Sequence, residues 1–143
     1  MKNCAPEKIR NFVLAGHAGS GKTSLSDLML FKAGIVGRCG SVDAGTSVSD
    51  VRKEEQERKG SIYTSVLHAP WKDGHFFFMD TPGNSDFCGE AINAINIADM
   101  MILVVDDTGG GCRAGHWTWH HPRMERGVKA QDALHDLHQW LRP

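Results

Sequence analysis

The chain has 143 residues, 41% of them apolar and 23% charged, with a formal net charge of −1. That length suffices for one domain with a hydrophobic core, and the near-neutral charge excludes a protein-wide field that draws a chain to nucleic acid or to a membrane surface. Four cysteines (Cys4, Cys39, Cys88, Cys112) lie scattered without a C-x-x-C pair, which argues against a disulfide framework or cysteine zinc site and suits a reducing cytoplasm.

The first ten residues lack an apolar stretch and are not a signal peptide. Residues 9–15 form an apolar run of strand length. Directly after it, Gly16-His17-Ala18-Gly19-Ser20-Gly21-Lys22-Thr23 spells G-x-x-x-x-G-K-T. That string between a buried strand and a helix is a phosphate-binding loop. Its glycines let the backbone curl so that N–H groups face phosphate oxygens. Lys22 adds a point charge, the Thr23 hydroxyl can hold Mg²⁺, and the following helix aims its positive end at the same phosphates. The helix is expected over 22–32, with Leu25, Leu28 and Met29 on one face and Gly34 as its stop.

Residues 34–60 show no core face and predict a mobile loop, whose charge run at 50–59 reads by itself as a solvated surface. Residues 63–69 and 75–79 predict a strand pair joined by Trp71-Lys72-Asp73-Gly74, placing His68 and His75 near a sheet edge. The second of these strands runs into Asp80-Thr81-Pro82-Gly83. An aspartate at such a strand end serves the outer shell of a nucleotide-bound Mg²⁺, and Gly83 offers a backbone N–H to a γ-phosphate. Alone this tetrapeptide is also good turn chemistry; with the first loop it completes a nucleotide site. Residues 87–98 have helical spacing, with Ala91, Ile95 and Ala98 on one stripe and Ile92 beside them, and 100–105 is a further buried strand. The apolar strings are too short to span a bilayer, and Lys2, Lys8 and Arg10 form no nucleic-acid patch. Cys39 and Cys88 read as packing residues, since no activating base accompanies them. The order predicts an α/β fold of the P-loop type: a mainly parallel sheet with one antiparallel edge strand, helices on both faces, and the ligand at the carboxyl ends of the strands.

The character changes after Asp107. Residues 111–143 hold five of the eight His and three of the four Trp, with no Ile or Phe. The helix and apolar strand that an α/β domain needs next are not readable there, so the strand at 100–105 is expected to end the sheet as a bare edge. His116 and His120, and His135 and His138, have helix-compatible spacing. Trp117-Thr118-Trp119 and Pro122 argue against a helix through the first pair, and no cysteine or carboxylate scaffold makes a zinc site of either.

The three blocks Gly16 to Thr23, Glu55-Gln56-Glu57-Arg58-Lys59-Gly60-Ser61-Ile62 and Asp80-Thr81-Pro82-Gly83-Asn84-Ser85-Asp86-Phe87 resemble, in order, three motifs of the translational GTPases, closest to elongation factor G and its paralogues. The resemblance covers about residues 8–108, so the expected organisation is a partial G domain over 1–110 and an atypical tail over 111–143 that reads like an out-of-frame translation. It implies binding of guanine nucleotide (GTP or GDP) with Mg²⁺, hydrolysis to GDP and phosphate, a ribosomal partner, and two nucleotide-sensing switches at 34–60 and about 80–91. The implied phosphate-binding residues are Gly16, His17, Ala18, Gly19, Ser20, Gly21, Lys22, Thr23, Asp80, Thr81, Pro82 and Gly83. Thr23 and Ser61 would bind the metal directly and Asp80 through water, with Thr64 as the alternative to Ser61 if the register slips. Where the family has R-G-I-T-I, this chain has Arg58-Lys59-Gly60-Ser61-Ile62, and where a histidine positions the attacking water, it has Asn84. Asn84 and Gly83 are therefore the candidate catalytic residues, and an asparagine without a titratable proton implies slow hydrolysis. Asn84 has an equally simple reading as a turn residue that tolerates left-handed geometry. No N-K-x-D motif, which reads guanine in the family, occurs. A P-loop ATPase and a truncated, non-catalytic remnant stay open as alternatives on these residues alone.

Overall fold

The computed structural model describes residues 5–105 and, as backbone only, the strand at 127–129. In chain order the elements are β1 (Ile9–Ala15), α1 (Lys22–Lys32), α2 (Lys53–Arg58), β2 (Ser65–Trp71), β3 (Gly74–Asp80), α3 (Cys88–Ile97), β4 (Met100–Val105) and β5 (Gly127–Lys129), with short 3₁₀ turns at Pro6–Lys8 and Ser85–Phe87. The sheet order is β2-β3-β1-β4-β5. β1 runs parallel to β3 and β4, β4 parallel to β5, and only β2 antiparallel to its neighbour β3. This is the α/β architecture that the pattern predicts.

β1 lies at the centre because it is apolar on both sides. Phe12, Val13 and Leu14 are all at 1% exposure or less. Alternate residues face opposite ways along a strand. Phe12 and Leu14 meet Leu25 and Leu30 of α1, together with Phe78, Ile102 and Val104. Val13 and Met79 meet Ala94 of α3 and the following Ala98 on the other face. The Phe12 and Phe78 rings stack at 5.5 Å. Complete burial of such a side chain contributes about 1.5–3 kcal/mol. On α3 the buried positions are Ala91 and Ala94, with Ile95 packed at the margin and Ile92 exposed, so the stripe is narrower than its spacing suggests. On α1, Leu30 is buried where Leu28 and Met29 are only half-buried, and two polar residues, Ser26 and Asp27, are fully buried.

Several expectations are corrected. The β2–β3 hairpin turns over Lys72 and Asp73 alone, with Lys72 in the left-handed region at φ 55°, so β2 starts and ends two residues later than predicted. The segment 34–60 is not coreless: it holds α2, and it buries Ser47, Ser49, Asp50 and Glu55. β4 does not end the sheet, because Gly127–Lys129 pairs with Leu103, Val104 and Val105. Short strands of mixed composition, such as Gly-Val-Lys, carry no periodicity to be read. The tail histidines lie outside the described residues.

Candidate functional site

Register brings two loops together. Leu14, one residue before the end of β1, pairs with Asp80, the last residue of β3. The Thr81 hydroxyl then donates to the Leu14 carbonyl at 2.6 Å, tying the chain beyond β3 to β1. The loop Gly16 to Gly21 and the loop Thr81 to Gly83 therefore leave adjacent strands at the same carboxyl edge, where ligands of open α/β sheets sit.

The first loop ends in Gly21, left-handed at φ 92°, which starts α1. Ser20 and Lys22 are buried, whereas His17, Ala18 and Gly19 are exposed, and the His17 ring Nδ1 lies 2.7 Å from the Ala18 carbonyl oxygen. Lys22 Nζ donates to the carbonyls of Gly16 (2.9 Å) and His17 (2.8 Å). An ammonium has three donors, so one remains for a ligand. Burial lowers the Lys22 pKa, and the nearby Asp80 carboxylate works against that shift.

In the second loop, Asp80 is 1% exposed and neither carboxylate oxygen has a hydrogen-bond partner. Burial pushes its pKa up to about 6; the hydroxyls of Thr23 and Ser49 lie close enough to offset part of this without reaching hydrogen-bond geometry, as does Lys22, while Asp50 adds to the rise. Thr81 and Pro82 are buried. The Gly83 carbonyl accepts the Ala18 N–H at 3.0 Å. A Cβ on Gly83 would collide with Lys22 Nζ and fall 2.5 Å from the Ala18 nitrogen, so only glycine lets the two loops close. Asn84 stands at φ −85°, outside the left-handed region. Its Oδ1 accepts the Asp86 N–H at 3.1 Å and the Ser85 hydroxyl at 3.3 Å, capping the 3₁₀ turn. Its place in the turn is held by capping and not by left-handed geometry.

The segment before β2 supplies the third wall. Ser61 Oγ lies 3.2 Å from Thr23 Oγ1 and donates to Asp50 Oδ1 at 2.7 Å. Thr64 faces elsewhere: its N–H donates to Glu90 Oε2 and its hydroxyl to the Glu90 carbonyl. Of the two hydroxyls left open by the sequence, Ser61 is the one at Thr23. Two residues of the site escape sequence reasoning. Asp50, 3% exposed, has one oxygen on Ser61 and the other without a partner. Burial raises its pKa, the Ser61 hydroxyl lowers it, and Glu55 and Asp27 raise it further. Glu55, 2% exposed, folds inward and accepts the N–H groups of Ile62 and Tyr63 at 3.0 and 3.1 Å, which fixes the chain that carries Ser61. Both lie within the charge run, where composition suggests solvent. The one available signal is that the run directly precedes a hydroxyl needed at the loop.

The chain matches the model of the elongation factor Tu GTP-binding domain over residues 7–131, which extends past the 8–108 covered by the motif resemblance. It is similar to the mitochondrial ribosome-releasing factor 2 of Drosophila sechellia, 36% identical over 76% of this chain and 16% of that protein. It is also similar to the mitochondrial ribosome-releasing factor 2 of Debaryomyces hansenii, 31% identical over 77% of this chain and 13% of that protein. A crystal structure of a Thermus thermophilus protein superposes with a TM-score of 0.66 at 36% identity, covering 67% of this chain and 14% of that one. The chain thus spans about one sixth or less of the length of these relatives.

Proposed function

We propose, from the premise that the chain belongs to the elongation factor Tu GTP-binding domain family, that the two loops hold the phosphates of a guanine nucleotide with Mg²⁺. The observation that carries this reading is the meeting of Lys22, Thr23, Ser61 and Asp80 at one sheet edge, with both buried Asp80 oxygens unpartnered. Unpartnered buried carboxylate oxygens are costly unless something completes them, and ordered water on a cation does so. The residues fit the ion. Mg²⁺ on a nucleotide takes few protein ligands, here two hydroxyls and a carboxylate, with phosphate and water supplying the rest.

In this reading the backbone of Gly16, His17, Ala18, Gly19, Ser20 and Gly21 would cradle phosphate oxygens, the Ala18 and Ser20 N–H groups exchanging the carbonyls of Gly83 and His17 for them, and the third Lys22 donor would reach the same oxygens. Thr23 and Ser61 hydroxyls would hold the metal, and Asp80, flanked by Thr81 and Pro82, would act on it through water. Mg²⁺ supplies charge neutralisation across the phosphates. Gly83 contacts the γ-phosphate. Asn84 orients the attacking water weakly, because its Oδ1 already caps a turn and it cannot take a proton; hydrolysis is slow. The names of the relatives support a ribosomal partner for the whole protein, and free Cys39 and Cys88 suit a cytoplasmic location. Among the described residues no helix is long and apolar enough to cross a membrane.

Titration with fluorescent GTP and, side by side, ATP tests the proposal. GTP binds in preference and with Mg²⁺ dependence, and Lys22→Ala weakens binding by roughly 100-fold or more, as loss of a buried charge-assisted contact predicts. Equal affinity in the variant refutes the assignment.

A further inference from the structure

Besides Lys22, α1 carries a second buried charged side chain, one that the phosphate chemistry does not use. Asp27 is 0% exposed. Its Oδ1 accepts the Val48 N–H at 2.9 Å, and its Oδ2 is buried without a hydrogen-bond partner. The backbone of Gly40 presses against that second oxygen: a Cβ there would fall 2.5 Å from Oδ2 and 2.9 Å from the Cα of Ser47. The chain between Gly40 and Val48 thus folds down onto α1 over a buried carboxylate.

Asp27 and Thr23 are four residues apart on one helix, hence on one face. The chain beyond Val48 returns along that face. The Ser49 carbonyl accepts the Ser65 hydroxyl at 2.8 Å, Asp50 takes the Ser61 hydroxyl, and Ser61 meets Thr23. The segment is therefore pinned to α1 at two points one helical turn apart, Asp27 to Val48 and Thr23 to Ser61.

We propose that Asp27 is a positioning residue: by holding Val48 over a glycine-lined backbone at Gly40, it sets Asp50 and Ser61 at the height of Thr23. The proposal rests on the reading of Thr23 and Ser61 as metal-binding hydroxyls. Asp27 touches no ligand. Its effect passes through the loop, so it tunes the Mg²⁺-dependent part of nucleotide binding and leaves the Mg²⁺-independent part alone.

The test is a Mg²⁺ titration of fluorescent GDP binding to the full chain, with limited proteolysis across 34–52 in parallel. In Asp27→Ala the Mg²⁺ midpoint rises about tenfold, the scale of one hydrogen bond to a charged group. Cleavage in 34–52 accelerates, and affinity in EDTA is unchanged. Asp27→Asn, which keeps an acceptor for Val48, behaves like the wild type. Gly40→Ala, which forces the loop off an intact Asp27, reproduces Asp27→Ala and serves in its place if that variant loses its helical circular dichroism. A role confined to packing lowers thermal stability without moving the Mg²⁺ midpoint, and that outcome overturns the proposal. A wild type without any Mg²⁺ dependence overturns the metal-site reading instead.

Discussion

Replacing Asp80 by asparagine will stabilise the nucleotide-free chain while abolishing its Mg²⁺ response. Asp80 is 1% exposed, both of its oxygens lack partners, and burial lifts its pKa from 3.8 to about 6. At about 1.4 kcal/mol per pKa unit, keeping it ionised at pH 7 costs the fold about 3 kcal/mol. The sign follows from linkage. Below about pH 4 the carboxyl is protonated in the folded and unfolded chain alike, and the cost is absent. Between about pH 4 and 6 the folded chain holds the proton and the unfolded chain does not, so stability falls with rising pH. Above about pH 6 the loss is complete. Asparagine removes the charge but keeps a buried amide in need of partners, at about 1 kcal/mol whatever the pH, so the net gain at pH 7 is about 2 kcal/mol and turns into a loss of about 1 kcal/mol at pH 4. With a urea slope of order 1–3 kcal/mol/M, the midpoint rises by about 1 M. Urea unfolding in EDTA at pH 7 and pH 4.5, wild type against variant, reads this directly, and the difference between the two proteins cancels the other carboxylates. With Mg²⁺ and GDP the gap closes and then reverses once the Mg²⁺-dependent part of binding, which only the wild type keeps, exceeds about 2 kcal/mol. An Asp80→Asn chain that is less stable than the wild type at pH 7 without ligand, or a difference that ignores pH, refutes the reasoning.

Two further outcomes follow from single residues. Lys59 ends α2 at φ 55° and ψ 48°, a left-handed geometry that disfavours side chains, and it stands where the R-G-I-T-I motif it resembles has glycine. Lys59→Gly will raise stability by about 1 kcal/mol in urea unfolding; no gain means that the residue is not strained there. Asn84→His supplies a proton acceptor beside Gly83. In single-turnover phosphate release it will speed GTP hydrolysis roughly 100-fold and introduce a pH dependence near neutrality, at a cost of about 1 kcal/mol for the lost cap. An unchanged rate removes residue 84 from the catalytic scheme.

What the sequence alone determined is the part whose signals are local. The apolar runs of β1 and β4, the glycine spacing of residues 16–21, the helix that follows, and the aspartate at the end of β3 are each set by residues near one another, and hydropathy and turn chemistry act over that range. The shared edge of the two loops followed from strand order, since an α/β sequence admits few topologies. Only the tertiary structure showed the contact between Thr23 and Ser61, the hydroxyl that the motif resemblance names, because Ser61 is 38 residues away and the case against Thr64 depends on Glu90. It also turned Asp27, Asp50 and Glu55 inward. Each looks solvated in sequence, yet each accepts hydrogen bonds from groups 7 to 21 residues distant. A polar side chain goes inside when folding brings donors to it, and that supply of donors comes from long-range packing rather than from the residue's own neighbours.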